Sequence, residues 1–196
     1  MGNLKNNSLK GITRIFALLG GIGLFIMIIA PIWRIELTAP QYPEGLEMTI
    51  YSYKVGGQVQ IINGLNHYIG MREIHEDDFI EFKVLPYILG VLGLLGVAAA
   101  IINKKWFFYT WTVLFLLFGI LSMVDFYLWL YDYGHNLDPN AAIQVPGMTY
   151  QPPLIGFKQL LNFGAYSIPA IGGWIMIATG VILSGLSIYE FKFNKK

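Results

Sequence analysis

The sequence contains no cysteine. Disulfide bonds, thiolate metal sites, iron–sulfur clusters, thioether-linked haem and cysteine nucleophiles are therefore excluded. Any metal site has to be built from histidine, methionine, acidic side chains or backbone oxygens. The chain offers 3 histidines and 7 methionines in 196 residues, so the candidate ligand positions are few.

Charge is also scarce in this chain. Charged residues make up 13% of it, against roughly 25% in an average soluble domain. The 13 Lys and Arg nearly balance the 12 Asp and Glu, so there is no basic field that would attract nucleic acid. The HExxH, GxSxG and nucleotide-loop patterns are missing too. We predict a protein that is not an enzyme and binds no nucleic acid; an enzyme with a metal site at the membrane surface is the least favoured alternative.

Apolar sequence is what the chain has in abundance. Hydrophobic residues make up 55% of it, and they gather in four long blocks, each near the ~20 residues that a helix needs to cross a bilayer. We predict an all-α membrane protein in contact with lipid, with transmembrane helices at 15–33, 84–102, 106–128 and 168–189. The first block is longer than the apolar core of a signal peptide and ends at Trp33-Arg34 without a small-residue cleavage motif, which favours a retained anchor.

The basic residues predict how the chain is oriented. Lys and Arg concentrate in the cytoplasmic segments of membrane proteins. Eight of them lie in the short segments 1–14, 103–105 and 190–196, whereas five are spread over the long connections 34–83 and 129–167. We therefore expect both termini and the 103–105 turn to be cytoplasmic and both long connections to be extracytoplasmic. The expected location is the bacterial inner membrane.

The first long connection has the pattern of a folded cap. Residues 46–62 place β-branched and aromatic residues on both sides of Gly56-Gly57, which predicts a β-hairpin that turns at the two glycines. Asn63 can cap a short helix over 64–75, and Asp77 or Asp78 can cap the second membrane helix. The predicted cap is therefore one β-hairpin and one short helix.

Three sulfur- or imidazole-bearing residues recur in that helix. His67, Met71 and His75 stand at i, i+4 and i+8, so that neighbouring members share a face. The two histidines would be about 12 Å apart along a straight helix, too far for one ion to bind both, but Met71 can share an ion with either. Imidazole with thioether favours copper, particularly Cu(I), while nearby carboxylates favour harder ions. The alternative is that His67 and Met71 only pack beneath the hairpin.

The same segment carries the candidate partner-binding residues. They are polar and close together in sequence: Asn63, Asn66, Tyr68, Glu73, Glu76, Asp77 and Asp78. The acids can also form a solvated face with charges near a helix N-terminus. If they form a recognition surface, its expected partners are periplasmic or other membrane proteins.

Asp125 is the only acid in the third apolar block. An ionisable side chain in a span is costly and is therefore a functional candidate. Its position near the outer end of the block predicts either a shallow side chain that reaches interfacial water or a role in proton transfer or ligand binding. In the following connection, the spaced apolar residues of 154–166 predict an amphipathic helix in the interface.

Small residues inside the spans predict close packing between helices. Gly90, Gly93 and Gly96 lie in the second block, and Gly180 and Ser184 are four residues apart in the fourth. Residues of this size let helix backbones approach each other in membranes.

Two strings carry a resemblance to a known family. The sequence YPEGL at 42–46 and the sequence INGLNHYIGM at 62–71, followed by three further spans, resemble the small membrane protein found in clade II nitrous oxide reductase gene clusters. The resemblance implies an accessory role beside a periplasmic multicopper enzyme, in its maturation or in supply of copper or electrons. It brings no catalytic residues. The alternative function is a structural subunit of a membrane transport or redox complex, in which Asp125 assists transfer.

Overall fold

The fold is a bundle of four long apolar helices with an antiparallel sheet at one end. The computed structural model describes residues 7–193. Its elements are α1 Gly11–Ile29, β1 Trp33–Ala39, β2 Tyr42–Ile50, β3 Val55–Gly57, α2 Val59–Tyr68, a 3-10 helix Glu76–Asp78, α3 Glu81–Ile102, α4 Lys105–His135, β4 Gly156–Leu160, β5 Phe163–Pro169 and α5 Ile171–Phe193. Helices α1, α3, α4 and α5 are long and apolar enough to cross a membrane, which confirms the prediction of four such helices.

The sheet joins the two long connections into one cap. Its strand order is β3-β2-β1-β5-β4, with every neighbouring pair antiparallel. The central strand β1 pairs with β2 from its own connection and, from Trp33↔Pro169 to Thr38↔Gly164, with β5 from the other. The prediction of an all-α protein with a hairpin cap from the first connection alone is therefore too simple, because two of the five strands come from the second connection.

The sheet is attached directly to two of the membrane helices. Strand β1 follows α1 within a few residues, and β5 runs into α5. The amide of Ala170 donates to the carbonyl of Ile32 (3.0 Å), and that of Gly172 donates to Pro31 (2.8 Å). The Trp33 indole N–H donates to the Ser167 hydroxyl (2.8 Å). These bonds continue the β1–β5 pairing into the helix ends, so the sheet is fixed on α1 and α5.

The predicted hairpin turn at Gly56-Gly57 is wrong. The chain reverses at residues 51–54, where the amide of Tyr51 donates to Lys54, and both glycines lie in β3. Gly57 has φ +85°, and a side chain there would collide with the carbonyl oxygen of Glu47. The positive φ of Gly57 therefore serves the close approach of β3 to β2 and the exit into α2, and residues 59–62 are helical instead of extended.

The predicted helix over 64–75 is shifted toward the N-terminus. Helix α2 is Val59–Tyr68, so Asn63 lies inside it and does not cap it. Gly70 has φ +80°, and the amide of Met71 turns back to the carbonyl of Asn66 (3.0 Å). A left-handed glycine is a common helix stop. It ends α2 before Met71, and the i, i+8 relation to His75 is lost.

Two further sequence predictions about local structure are wrong. Asp77 and Asp78 both lie in the 3-10 helix and do not cap α3. The N-cap residue of α3 is Ile80, and no side-chain hydrogen bond caps this helix. From Gly156 onward, the segment 154–166 belongs to the β4–β5 hairpin instead of an interfacial helix. Leu161, with φ 54°, lies at the turn of this hairpin. The open edge of β1 offers β5 a partner, and sheet pairing overrides the helical spacing.

The core has one part in the bundle and one beneath the sheet. In the bundle, buried residues of α1, α3, α4 and α5 meet around α1. Beneath the sheet, Trp33, Ile35, Leu46 and Met48 pack with α2 and with Leu130 of α4. One face of the sheet is therefore buried against the end of α4 nearest the cap, and the cap packs directly on the bundle.

Helices α1 and α3 make the closest contact in the bundle. A Cβ on Gly21 would lie 2.7 Å from the backbone nitrogen of Val97 and 2.8 Å from the carbonyl oxygen of Gly93. A Cβ on Gly96 would meet the Trp111 ring at 2.5 Å. The packing role predicted for Gly93 and Gly96 is confirmed, whereas Gly90 has no neighbour within 4 Å on its Cβ side.

All the described segments that were predicted to be cytoplasmic meet at the end opposite the cap. The amide of Lys105 donates to the carbonyl of Asn7 (3.0 Å), and the amide of Leu9 donates to the Asn103 side chain (3.0 Å). The side of the membrane on which this end lies stays a prediction. Three of the lysines that support it, Lys5, Lys195 and Lys196, lie outside the described residues.

Candidate functional site

Two of the predicted partner-binding residues are buried and form hydrogen bonds within the cap. Asn63, 4% exposed, donates from Nδ2 to the carbonyl of Ile74 (3.1 Å) and accepts from the Ile74 amide through Oδ1 (2.8 Å). Asn66, also buried, donates from Nδ2 to the carbonyl of Arg72 (3.5 Å). The side chains thus hold the segment after α2 against the helix, because a buried amide needs such partners. Neither is available to a partner protein.

The other predicted partner-binding residues are exposed. Tyr68 is 56% exposed, and four acids lie along the surface of the segment that leads to α3: Glu73, Glu76, Asp77 and Asp78. We call these four residues the acidic edge. Glu73 lies 3.1 Å from His75 Nε2, Glu76 accepts from the Val55 amide (3.0 Å), and Asp77 lies 3.8 Å from Lys83 Nζ. The acidic edge is therefore a solvated surface with more negative than positive charge.

The predicted metal ligands are only partly brought together. His67 and Met71 line one small polar pocket of about 310 Å³, together with Asp138 from the second connection. His75 is not among its lining residues. His135 stacks on Tyr131 with the ring centroids 3.9 Å apart. Within residues 7–193, no group of three His, Asp or Glu is placed to hold a metal ion, so a site at His67 and Met71 stays a prediction.

A large cleft lies beside the middle of α4. At the end opposite the cap, Phe108, Trp111 and Phe115 of this helix are buried, and Leu130 and Tyr133 are buried beneath the sheet. None of residues 116–129 is buried. Along this stretch a cavity of about 1310 Å³ opens between α4, α3 and α5, although side chains such as Leu116 and Phe118 still pack against the core of the bundle. We call this cavity the α4 cleft.

The walls of the α4 cleft are apolar along most of its length. They include Leu85, Ile88 and Leu89 from α3 and Met176 and Ile177 from α5. Aromatic rings form its roof next to the cap, in a connected group: Trp33, Phe79, Phe126, Trp129 and Tyr133. The cleft is thus shaped for a hydrophobic occupant.

Charged groups border the α4 cleft only at its cap end. Asp78 of the acidic edge, Glu81 at the start of α3 and Asp125 on α4 contribute carboxylates. Arg72 forms an ion pair with Asp132 at the same end. Asp125 is itself exposed and lines a cavity that the sequence did not predict; its shallow position in the membrane stays a prediction.

A buried ion pair closes the opposite end of the bundle. Glu190 is 0% exposed, and its Oε2 lies 3.2 Å from Nζ of Lys105, whose side chain is 7% exposed. Glu190 Oε1 accepts from the Thr13 hydroxyl (2.7 Å) and from the Lys10 amide (2.7 Å). This network joins α1, α4 and α5. The sequence did not predict this ion pair, because Lys105 and Glu190 lie at the edges of apolar blocks, where charged residues are usually solvated. The one indication in the sequence was that an acid and a lysine stand at the ends of two spans on the same predicted side of the membrane.

Comparisons with family models, with curated proteins and with solved structures give no match.

Proposed function

We propose that this protein is an integral-membrane accessory protein whose extracytoplasmic cap docks a periplasmic protein. The observation that carries this proposal is the acidic edge: four exposed carboxylates on a cap that is fixed to two membrane helices. A surface of one charge sign steers and selects a partner with the opposite sign. The expected partner therefore presents a basic patch.

The proposal extends to nitrous oxide reductase as the system that this protein supports, in maturation or in electron supply. The resemblance supports it, and both strings build the cap. YPEGL begins β2, and INGLNHYIGM forms most of α2 and the turn after it. Asn66 and Asn63 use their amides to hold Arg72 and Ile74, the two neighbours of Glu73 in the chain, so the string that resembles the family positions the start of the acidic edge.

Co-purification from native membranes tests the docking function. Asp77→Lys should reduce the amount of retained periplasmic partner about fivefold, a change of about 1 kcal/mol, because it reverses a charge in the acidic edge. The matched control is Glu44→Lys, which makes the same change at an exposed position of β2. Equal loss in both variants, or loss in neither, contradicts the proposal. If an integral-membrane partner is retained in equal amounts by the wild type and both variants, the result supports the alternative, a structural subunit of a membrane complex.

A second candidate function is copper handling in the cap. The observation that favours it is the pocket shared by His67, Met71 and Asp138, since imidazole and thioether are ligands for Cu(I). Titration with Cu(I) against a competing chelator should give one site, and His67→Ala with Met71→Leu should abolish it. His75→Ala is the control, because this side chain lies outside the pocket. Absence of stoichiometric binding to the wild type rules this function out.

A further inference from the structure

The part of the α4 cleft between Phe115 and Asp125 has the depth of one leaflet of a bilayer, and the lining continues beyond Asp125 to the aromatic rings of Trp129 and Tyr133. Phe115 lines its deep end and Asp125 lines its charged end. Ten residues separate them on one helix, which is about 15 Å at 1.5 Å per residue. Half of the roughly 30 Å hydrocarbon core is the same length. We therefore infer that this part of the cleft lies in the leaflet on the cap side.

The volume of the cleft suits lipid chains. A methylene group is about as large as a water molecule, which occupies about 30 Å³ in the liquid. The cleft, at about 1310 Å³, therefore has room for about 40 such groups at most, the content of two acyl chains. A transmembrane helix would run along the whole hydrocarbon core of roughly 30 Å, whereas the apolar part of the cleft covers about half of that length, so a partner helix fits less well.

The charges at the mouth define the headgroup. Asp78, Glu81 and Asp125 supply three carboxylates, whereas Arg72 is the one cation among the described residues that line the cleft, and it is paired with Asp132. The excess of negative charge favours a cationic group near the membrane boundary and disfavours an anionic lipid. The guanidinium of Arg72 has further N–H donors for a phosphate beside that cation.

We propose that the α4 cleft binds one phospholipid with a zwitterionic, ammonium-bearing headgroup. Its acyl chains lie among the apolar side chains of α3, α4 and α5. Its ammonium lies at Glu81 and Asp125, and its phosphate lies on the Arg72 side of the mouth. This site is separate from the acidic edge proposed for docking, apart from Asp78, which borders both.

Lipid retention by the purified full-length protein tests this site. The protein is taken in mild detergent from membranes that contain both phosphatidylethanolamine and phosphatidylglycerol, and the lipids that remain bound are counted by native mass spectrometry. The expected result is one retained phospholipid per chain, with phosphatidylethanolamine enriched about fivefold over its share of the membrane, a preference of about the size that one charge interaction provides. No retained lipid, no preference, or enrichment of phosphatidylglycerol overturns the proposal.

Substitutions in α4 locate the lipid. Ser122→Phe places a ring in the cleft and should abolish retention. Leu117→Phe is the matched control, because this residue lies five positions away on the same helix and does not line the cleft; it should retain the lipid. Leu121→Trp is a second filling variant in case Ser122→Phe fails to fold. Retention in both filling variants places the lipid elsewhere and overturns the proposal.

Removal of the carboxylates distinguishes the contribution of the headgroup to lipid binding from that of the acyl chains. The double variant Glu81→Gln with Asp125→Asn should keep one bound phospholipid but lose the fivefold preference, because the apolar walls are unchanged. An unchanged preference overturns the role of these two acids. Capture of a second protein that is lost in Ser122→Phe, with no lipid in the wild type, identifies a partner helix as the occupant and also overturns the proposal.

Discussion

Helix α4 is held in two different ways along its length. Near the end opposite the cap, Phe108, Trp111 and Phe115 are buried among the other helices, and Lys105 forms a buried ion pair with Glu190. Over residues 116–129 the same helix has no buried residue and borders a cleft. Both stretches are apolar, so composition does not produce the difference. Packing between membrane helices depends on close fit, and the described part of α4 has its buried residues only at the closed end and, as with Leu130 and Tyr133, beneath the sheet.

The largest expected effect comes from breaking the closed end. Glu190→Gln should lower the free energy of unfolding by about 4 kcal/mol, because it leaves the buried Lys105 ammonium without its counter-charge. Thermal unfolding of the protein in detergent measures this loss. Adding Lys105→Met to Glu190→Gln should restore part of the stability. If Glu190→Gln unfolds like the wild type, the ion pair does not hold this end together.

Truncation of large side chains compares the two stretches of α4 directly. Phe108→Ala should cost about 3 kcal/mol, because this ring is fully buried and its removal leaves a cavity. Leu121→Ala should cost less than about 1 kcal/mol, because Leu121 is 65% exposed and borders the cleft. Chemical denaturation of both variants provides the measurement. Equal losses would mean that the cleft is closed in the membrane.

A tie within the cap is expected to have an intermediate effect. Asn63→Ala should destabilise the protein by about 2 kcal/mol, because the backbone amide and carbonyl of Ile74 are left buried without their partner. Asn66→Ala should cost less, since its single bond to Arg72 is long at 3.5 Å. Limited proteolysis after residue 70, together with thermal unfolding, measures both. A larger destabilisation by Asn66→Ala than by Asn63→Ala would contradict the stabilising role of the Asn63 hydrogen bonds.

Among the contacts expected to stabilise the fold, the α1–α3 contact gives the smallest effect. Gly21→Ala should cost about 1.5 kcal/mol, because its methyl group would overlap backbone atoms of α3 that cannot move cheaply. Gly90→Ala is the matched control in α3, with open space at its Cβ, and it should be neutral or slightly stabilising because alanine favours helix. Thermal unfolding distinguishes the two. A neutral Gly21→Ala would mean that the helices separate easily.

The four membrane helices could be predicted because the bilayer imposes length and apolarity on each segment independently. The cap could not, because its central pairing joins residues about 130 positions apart, as in Trp33↔Pro169. Local pattern was also misleading. Gly56-Gly57 resembles a turn, but Gly57 is required for a close approach to Glu47, and the spacing of 154–166 favoured a helix until β1 offered an edge.

The candidate sites were predicted to different degrees. Exposure of the acidic edge follows from its charge, and the structure agrees for Glu73, Glu76, Asp77 and Asp78. Burial of Asn63 and Asn66 could not be predicted, because it depends on how the chain returns after Gly70. The α4 cleft has no sequence signal at all: it arises where well-formed helices diverge, and residues 116–129 resemble any other apolar span.

Because β1 lies in the middle of the sheet, between β2 and β5, the cap can be completed only late in the synthesis of the chain. Strand β1 ends at Ala39, and β5 begins at Phe163. At the 5–20 residues per second of translation, β5 emerges about 6 to 25 s after β1. During that time β2 can cover only one edge of β1. The other edge is an unpaired strand, which is prone to wrong pairing. Completion of the cap therefore has to wait for β5, the last strand to be made, and the newly made protein is most vulnerable to aggregation before that moment.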